Sequence, residues 1–442
     1  MNQATIDSEL TLHGDPVLIE GAMNAHTFDN PRYLQAVRHG RATNRIPSLL
    51  EVYRSGGSDS LTVPRGYLEE IRDQVNVIDW RTDSACTLSA LAGVTLRDYQ
   101  AIAATTAAGG EQGLIVAPTG SGKTFIGLEL IRQRGQRALI LVHTSALADQ
   151  WRKVIKEVMG VEAGTIGGGK WNEGEEITVA MLQTLHRNPE KAAELFSRHG
   201  LTLVDETHRI AAQTFSEVIG WSSTLYRYGL TATPHRRDGL HDLIHRSVGD
   251  VIATIHPDQV EQQGGIVPAT VKVIQTGFTP SWAVDSWSEY ITELVESADR
   301  NLLIAIIASQ ASESAPTLIL TERVDHVGYI AANLDGALEI HGKLPAKERR
   351  SRIERIAEHQ ITIGTTGLLG EGLDVSGWGV LIMATPISSK VRLLQAIGRV
   401  IRPHPGKQRG YIADLVDDHG FSGSSRNKRL SIYEERGFDV VR

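Results

Sequence analysis

The stretch that most limits what this chain can fold into runs from Gly113 to Phe125, GLIVAPTGSGKTF. An apolar run (Leu114, Ile115, Val116) breaks into Ala117-Pro118-Thr119-Gly120-Ser121-Gly122-Lys123-Thr124, and helical spacing resumes through Gly127 to Ile131. That order predicts a strand, a phosphate loop and a helix. Gly120 and Gly122 let the backbone turn its N–H groups around a phosphate chain, with the positive end of the helix behind them. Lys123 is expected to reach the β- and γ-phosphates, and Thr124 to place its hydroxyl on Mg²⁺. Thr119 and Ser121 complete the cradle. Ala117 stands where the general pattern has its first glycine, and it fits because the chain need not take positive φ there. A nucleoside triphosphate site follows; what its energy drives must come from elsewhere in the chain.

The 442 residues allow two or three domains, and 41% hydrophobic with 22% charged residues is an ordinary globular balance. No run of about eighteen apolar residues occurs, and MNQATIDSEL lacks a basic segment followed by an apolar one, so a cytoplasmic protein with no membrane partner is expected. The single cysteine, Cys86, excludes an intramolecular disulfide and any multi-cysteine metal site. A net charge of −7 does not advertise a nucleic-acid binder, but an acidic exterior can coexist with a basic cleft. Local patches must decide.

Residues 1–94 read as a separate small α/β module that binds nucleic acid or a partner. Between Asn30 and Leu50 lie Arg32, Arg38, Arg41 and Arg45, with His39 and no acid. These arginines either meet phosphates or form a solvated basic face. Pro31 to Arg38 reads as a short helix, Pro47 to Tyr53 as a second element, and Gly66 to Val75 has helical spacing. Leu96-Arg97-Asp98-Tyr99-Gln100 then opens an alanine-rich helix just before the phosphate loop. The Gln100 amide can both donate to and accept from an adenine edge, with Arg97 beside it.

Beyond the loop, Arg137 to Thr144 reads as a buried strand followed by a helix with Leu147, Gln150 and Trp151; Gly164 to Gly169 reads as a loop, and Ile177 to Met181 as a strand before Gln183-Thr184. Leu201 to Val204 leads into Asp205-Glu206-Thr207-His208, placing two carboxylates at the C-terminal edge of a parallel sheet, where nucleotide sites form. Asp205 is then suited to hold Mg²⁺ and Glu206 to polarise the attacking water. Arg227 to Pro234 reads as a strand ending in Thr231 and Thr233, hydroxyls suited to relaying the state of the γ-phosphate. Arg426, Lys428 and Arg429 read as part of a solvated tail.

In this order the motifs resemble those of the superfamily 2 helicases and translocases: Gln100, APTGSGKT, LVHTSALADQW, MLQTL, DETH and TATP in one half, then TLILTER, GTTGLLGEGLD and QAIGRVIR in the other. The resemblance covers about 95–442. It implies two tandem RecA-like domains with parallel sheets, 95–265 and 266–442, with Gly264 to Pro268 as the linker. By the same resemblance, Gln395, Arg399 and Arg402 act on the γ-phosphate of ATP, the arginines as fingers, and Asp374 contacts the nucleotide. His208 is linked to Gln395, while Thr144, Gln183, Thr184, Thr321, Arg323 and Thr365 contact a nucleic-acid backbone. NPRYLQAVRHGRATNRIPSLLEVYRSGG, IGGGKWNEGEEITVAMLQTL and GLTATPHRRDG are most similar to the XPB/Ssl2 type, including phage helicases of the UvsW type. Arg236-Arg237-Asp238 departs from that type's Arg-Glu-Asp element. The expected function is an ATP-dependent DNA helicase acting on branched or duplex DNA in recombination, repair or replication, beside proteins of those processes. The alternatives are a duplex translocase that separates no strands and an RNA helicase.

Overall fold

A computed structural model describes residues 2–57, 59–207, 212–232, 241–280, 284–370, 375 and 377–441. The expected His208, Thr233, Asp374 and Arg236-Arg237-Asp238 lie outside these. The chain divides into two compact units, Met1–Pro118 with Gly122–His256, and Thr119–Ser121 with Pro257–Arg442.

The first unit is built on an eight-stranded sheet. In spatial order its strands are Lys170–Asn172, Gly164–Gly167, Ile177–Met181, Ala138–Val142, Leu201–Asp205, Tyr226–Thr231, Gln112–Val116 and Val251–Thr254. All neighbours run parallel except the first pair. The central strands are near-continuous runs of leucine, isoleucine and valine because helices bury both faces. Parallel strands end together, so Val116, Val142, Met181, Asp205 and Thr231 finish along one edge.

The second unit has a seven-stranded sheet, parallel throughout, in the order Leu338–Ile340, Ile361–Thr365, Thr317–Thr321, Val380–Met383, Gly410–Val416, Ala269–Gln275 and Asp439–Val441. Thr321 and Thr365 are register partners at its C-terminal edge. Mixed α/β architecture with two such sheets is the two-RecA arrangement the motifs implied.

Residues near the N-terminus form a third, five-stranded sheet, ordered Arg54–Ser55, Ser60–Val63, Leu10–His13, Gln3–Ile6 and Asn76–Asp79. Alternation puts Ala4, Ile6, Leu10, Leu12, Leu61 and Val63 into a core of its own. The helix Pro31–Arg38 forms as its residues suggest, with Asn30 accepting from the Arg32 N–H and proline at the first turn. Arg32, Arg38, Arg41 and Arg45 are all exposed. Within 47–53 only Leu49–Glu51 is regular, as a strand against Thr27–Asp29.

This small sheet is not free of the eight-stranded one. Arg65, fully buried, donates to the Gln112 side chain at 3.0 Å and to the carbonyls of Thr224 at 2.6 Å and Leu225 at 3.0 Å. In return Arg227, at the start of the strand Tyr226–Thr231, donates to the Ser8 carbonyl at 2.9 Å as well as to Ser222 and Ser247. Burial and the nearby Arg227 charge hold the Arg65 guanidinium well below its ordinary pKa, and burial takes Arg227 to about 9. Backbone carbonyls compensate both charges.

Three elements differ from expectation. Gly164 to Gly169 is a strand and hairpin turn, because Gly168 (φ 59) and Gly169 (φ 81) supply the left-handed pair that a tight antiparallel return needs. Helical spacing over Gly66 to Val75 breaks into the 3-10 turns Arg65–Tyr67 and Arg72–Gln74 around a short helix, Leu68–Ile71. The tail is a helix, Gly420–Glu435, and Arg429 is not solvated: it is buried against Asp414, 2.7 Å away. Glycine and serine had obscured the apolar face carrying Ile432 and Tyr433.

Buried imidazoles in both units set an acid limit. Burial lowers His26 and His199 to about 4 and His326 to about 3. The unfolded chain takes up these protons near pH 6.5, so their contribution to stability is complete above that value and is lost as pH falls toward 4. Melting temperature should therefore drop steadily between about pH 6.5 and 4. A flat profile across that window would contradict this.

Candidate functional site

The phosphate loop joins the strand Gln112–Val116 to the helix Lys123–Arg134. Gly120 (φ 88) and Gly122 (φ 77) take left-handed conformations there, and no acid stands in the helix's first turn to compete with an anion. A side chain at 122 is disfavoured by the left-handed φ there and would displace Gln100, since a Cβ would lie 2.3 Å from its Nε2. Gln100 is thus packed against the loop. Its Oε1 accepts the Arg97 backbone N–H at 2.9 Å, closing a capping box on the helix Asp98–Ala107. Ser121 is buried, Thr119 and Thr124 half-buried.

Lys123 Nζ lies 3.1 Å from Glu206 Oε1. Asp205 is buried at the end of the central strand; its Oδ2 accepts the indole N–H of Trp151 at 2.9 Å. Its Oδ1 has no hydrogen-bond partner among the described residues. Burial, then the Glu206 charge, push the Asp205 carboxyl up to about 6, against the pull of Lys123 and Trp151. Glu206 has φ 54, the sole positive value outside glycine among the described residues. Backbone held in that region costs about 1–3 kcal/mol and persists where surrounding structure demands it. Trp151 packs closely over Gly127, where a Cβ would come within 2.9 Å of its ring. The sequence placed Trp151 on a helix after the strand Ala138–Val142 but gave no signal of its bond to Asp205, 54 positions away.

Along the same sheet edge, Thr144 caps the helix Ser145–Met159, accepting from the Leu147 N–H. Exposed Gln183 donates to the His143 carbonyl at 3.0 Å, tying two strand ends together; Thr184 lies half-buried beside it. Thr231 is buried at its strand's end.

In the second unit the helix Lys390–Val400 carries Gln395 and Arg399, both buried. Arg399 Nε donates to the Gly370 carbonyl at 3.3 Å, and Gln395 Oε1 is buried with no partner among the described residues. Arg402 is half-buried just past the helix end. Thr321, expected to contact a nucleic-acid backbone, has a buried side chain whose hydroxyl pairs with His326 at 2.8 Å, which reaches Asn301 at 2.8 Å. Arg323 is exposed and Thr365 half-buried, and both face a groove.

Residues 93–236 match the family described as Type III restriction enzyme, res subunit, and 298–404 match the Helicase conserved C-terminal domain, together more than half of the chain. The chain is a superfamily 2 helicase. It is 28% identical over 372 residues to the DNA 3'-5' helicase XPB of Mycobacterium tuberculosis, covering 79% of this chain and 65% of that one. To the ATP-dependent DNA helicase uvsW of Enterobacteria phage T4 it is 24% identical over 342 residues, covering 71% of this chain and 66% of that one. A structure of S. cerevisiae Dbp5 bound to RNA and ADP BeF3 shares the fold, with a TM-score of 0.58 at 15% identity, covering 78% of this chain and 89% of that one. The chain spans about two thirds of the length of these two relatives. The two matched families set the helicase class, and nucleotide binding comes with it. Among its described residues no helix is long and apolar enough to cross a membrane.

Proposed function

We propose that this helicase hydrolyses ATP to translocate on and unwind branched or duplex DNA during recombination, repair or replication, in the cytoplasm of a bacterial or phage-infected cell. The observation that carries the chemistry is the cluster of Lys123, Asp205 and Glu206, with Lys123 held 3.1 Å from Glu206 beside a loop whose glycines take left-handed conformations. The DNA assignment is supported by the named relatives, XPB and uvsW. We read 1–94 as a nucleic-acid or partner-binding module, 95–265 as the ATP-binding domain and 266–442 as the second RecA-like domain.

In this mechanism the loop amides and Lys123 bind the β- and γ-phosphates, and Arg97 and Gln100 take the base. Glu206 accepts a hydrogen bond from the attacking water and draws off its proton as the new P–O bond forms and the bond to ADP breaks. The buried, orphaned Asp205 Oδ1 suits a hydrated divalent cation, so Asp205 and Thr124 would hold Mg²⁺, which neutralises phosphate charge when bound. To Arg399 and Arg402 we assign stabilisation of the transferred group, and to Gln395 contact with the attacking water. Thr144, Gln183, Thr184, Arg323 and Thr365 contact the DNA backbone, so tracking is independent of sequence.

The test is ATP hydrolysis with single-stranded DNA, linear duplex, a four-way junction or RNA. Strongest stimulation by junction or duplex supports the proposal; stimulation by RNA alone replaces it with the RNA reading. A strand-displacement assay then separates unwinding from translocation.

Trp151→Phe probes the cation side. Without the indole N–H, the Asp205 carboxylate loses the donor that orients it, and half-saturating Mg²⁺ should rise about tenfold. Nucleotide affinity in EDTA should stay unchanged. Equal weakening under both conditions would point to general damage instead.

A further inference from the structure

Within the second unit a groove of about 520 Å³ is lined by Trp287, Ser288, Arg323, Thr365, Gly367 and Arg392, among others. Its polar side suits a phosphate chain. Arg323 and Arg392 bring two cations, Thr365 a hydroxyl, and Gly367 has open space where a side chain would stand. One acid, Glu322, also lines the groove, 4.0 Å from Arg392, so positive charge stays in excess.

Trp287 is what a phosphate track alone does not explain. It occupies the first turn of the helix Trp287–Glu296, fixed by a capping box in which Ser286 Oγ accepts the Glu289 N–H at 3.2 Å. Its ring leans on Tyr290 (centroids 5.6 Å apart) and meets Phe421 edge-on at 6.2 Å, within an apolar cluster that also holds Ile291 and Leu294. That cluster braces the indole while the ring remains half-exposed at the groove. Arg323 donates to the neighbouring Ser288 Oγ at 3.4 Å, so a guanidinium stands next to the aromatic. A braced aromatic surface beside cations is how proteins hold unpaired bases without reading their sequence.

We propose that Trp287 stacks on a base of single-stranded DNA whose backbone lies along Arg323, Arg392 and Thr365. The inference rests on the DNA-motor reading and deepens it: the tracked strand is gripped by a base as well as by its phosphates. Paired bases are stacked on one another and withhold their faces, so the groove favours a strand already parted from its complement.

The test compares binding of an oligothymidine with an abasic strand of equal length, in the full chain with a non-hydrolysable ATP analogue. The native protein should prefer the thymidine strand by about tenfold. Trp287→Leu, which keeps an apolar side chain on the cluster but offers no ring face, should bind both strands equally at the abasic level, and Trp287→Phe should restore most of the preference. A lowered melting temperature in Trp287→Leu would show cluster damage, and the Trp287→Phe result then decides: no preference with the native melting temperature overturns the proposal. So does a native protein that binds both strands alike, or a Trp287→Leu variant that keeps the preference. Either of these leaves the motor reading intact if DNA still stimulates hydrolysis. Failure to bind either strand, with no stimulation, would bring down both.

Discussion

Glu206→Gln is expected to bind ATP about as tightly as the native helicase and to hydrolyse it at least about 100-fold more slowly, because an amide cannot draw off the water's proton. Size and backbone demand are conserved, so the φ of 54 at this residue is retained. Lys123 loses its ion-pair partner at 3.1 Å and becomes more available to phosphate, so affinity should not fall. Fluorescent-nucleotide binding and phosphate release measure the two effects separately. A turnover within threefold of native would remove Glu206 from the role of base. Lys123→Ala gives the opposite split, since it takes away the cation that meets the phosphates and leaves Asp205 and Glu206 uncompensated: nucleotide binding itself should be lost.

Arg65→Met should cost the first unit about 3–9 kcal/mol, counting about 1–3 kcal/mol for each of the three partners left unpaired. Those partners are the Gln112 amide and the carbonyls of Thr224 and Leu225. Methionine preserves much of the stem's packing, so the loss reports on the hydrogen bonds. Against a typical total of about 5–15 kcal/mol, such a loss lowers melting by roughly 6–36 °C, at about 2–4 °C per kcal/mol for a unit of this size. Differential scanning calorimetry would show it as a shift confined to one transition. A melting point unchanged within 2 °C would mean that the guanidinium contributes nothing net. Removing 1–94 exposes the same groups together, so the ATP-binding layer should be poorly soluble alone.

That dependence was not legible in the sequence. The arginine-rich stretch 32–45 drew attention there, yet those side chains are exposed, while the arginines that join the small sheet to the large one are isolated in the sequence and find partners 47 to 219 positions away. Composition cannot report such distances. The placement of Asp205-Glu206 and of the glycine loop was readable because each is set by a few consecutive residues at the end of a strand that must be buried. Trp151 and Asp205 meet only through packing of a helix on the sheet, and Arg429 only through a helix whose glycines and serines imitate a tail. For Thr321 the resemblance implied a nucleic-acid contact, while its bond to His326, five positions on, depends on how the next helix packs on the strand.

The left-handed backbone at Glu206 sets stability and turnover against each other at one residue. Glycine there would relieve about 1 kcal/mol of conformational cost and abolish the reaction. A library screened for heat resistance alone would therefore enrich dead enzymes at codon 206, and any effort to harden this motor needs turnover in the selection from the first round.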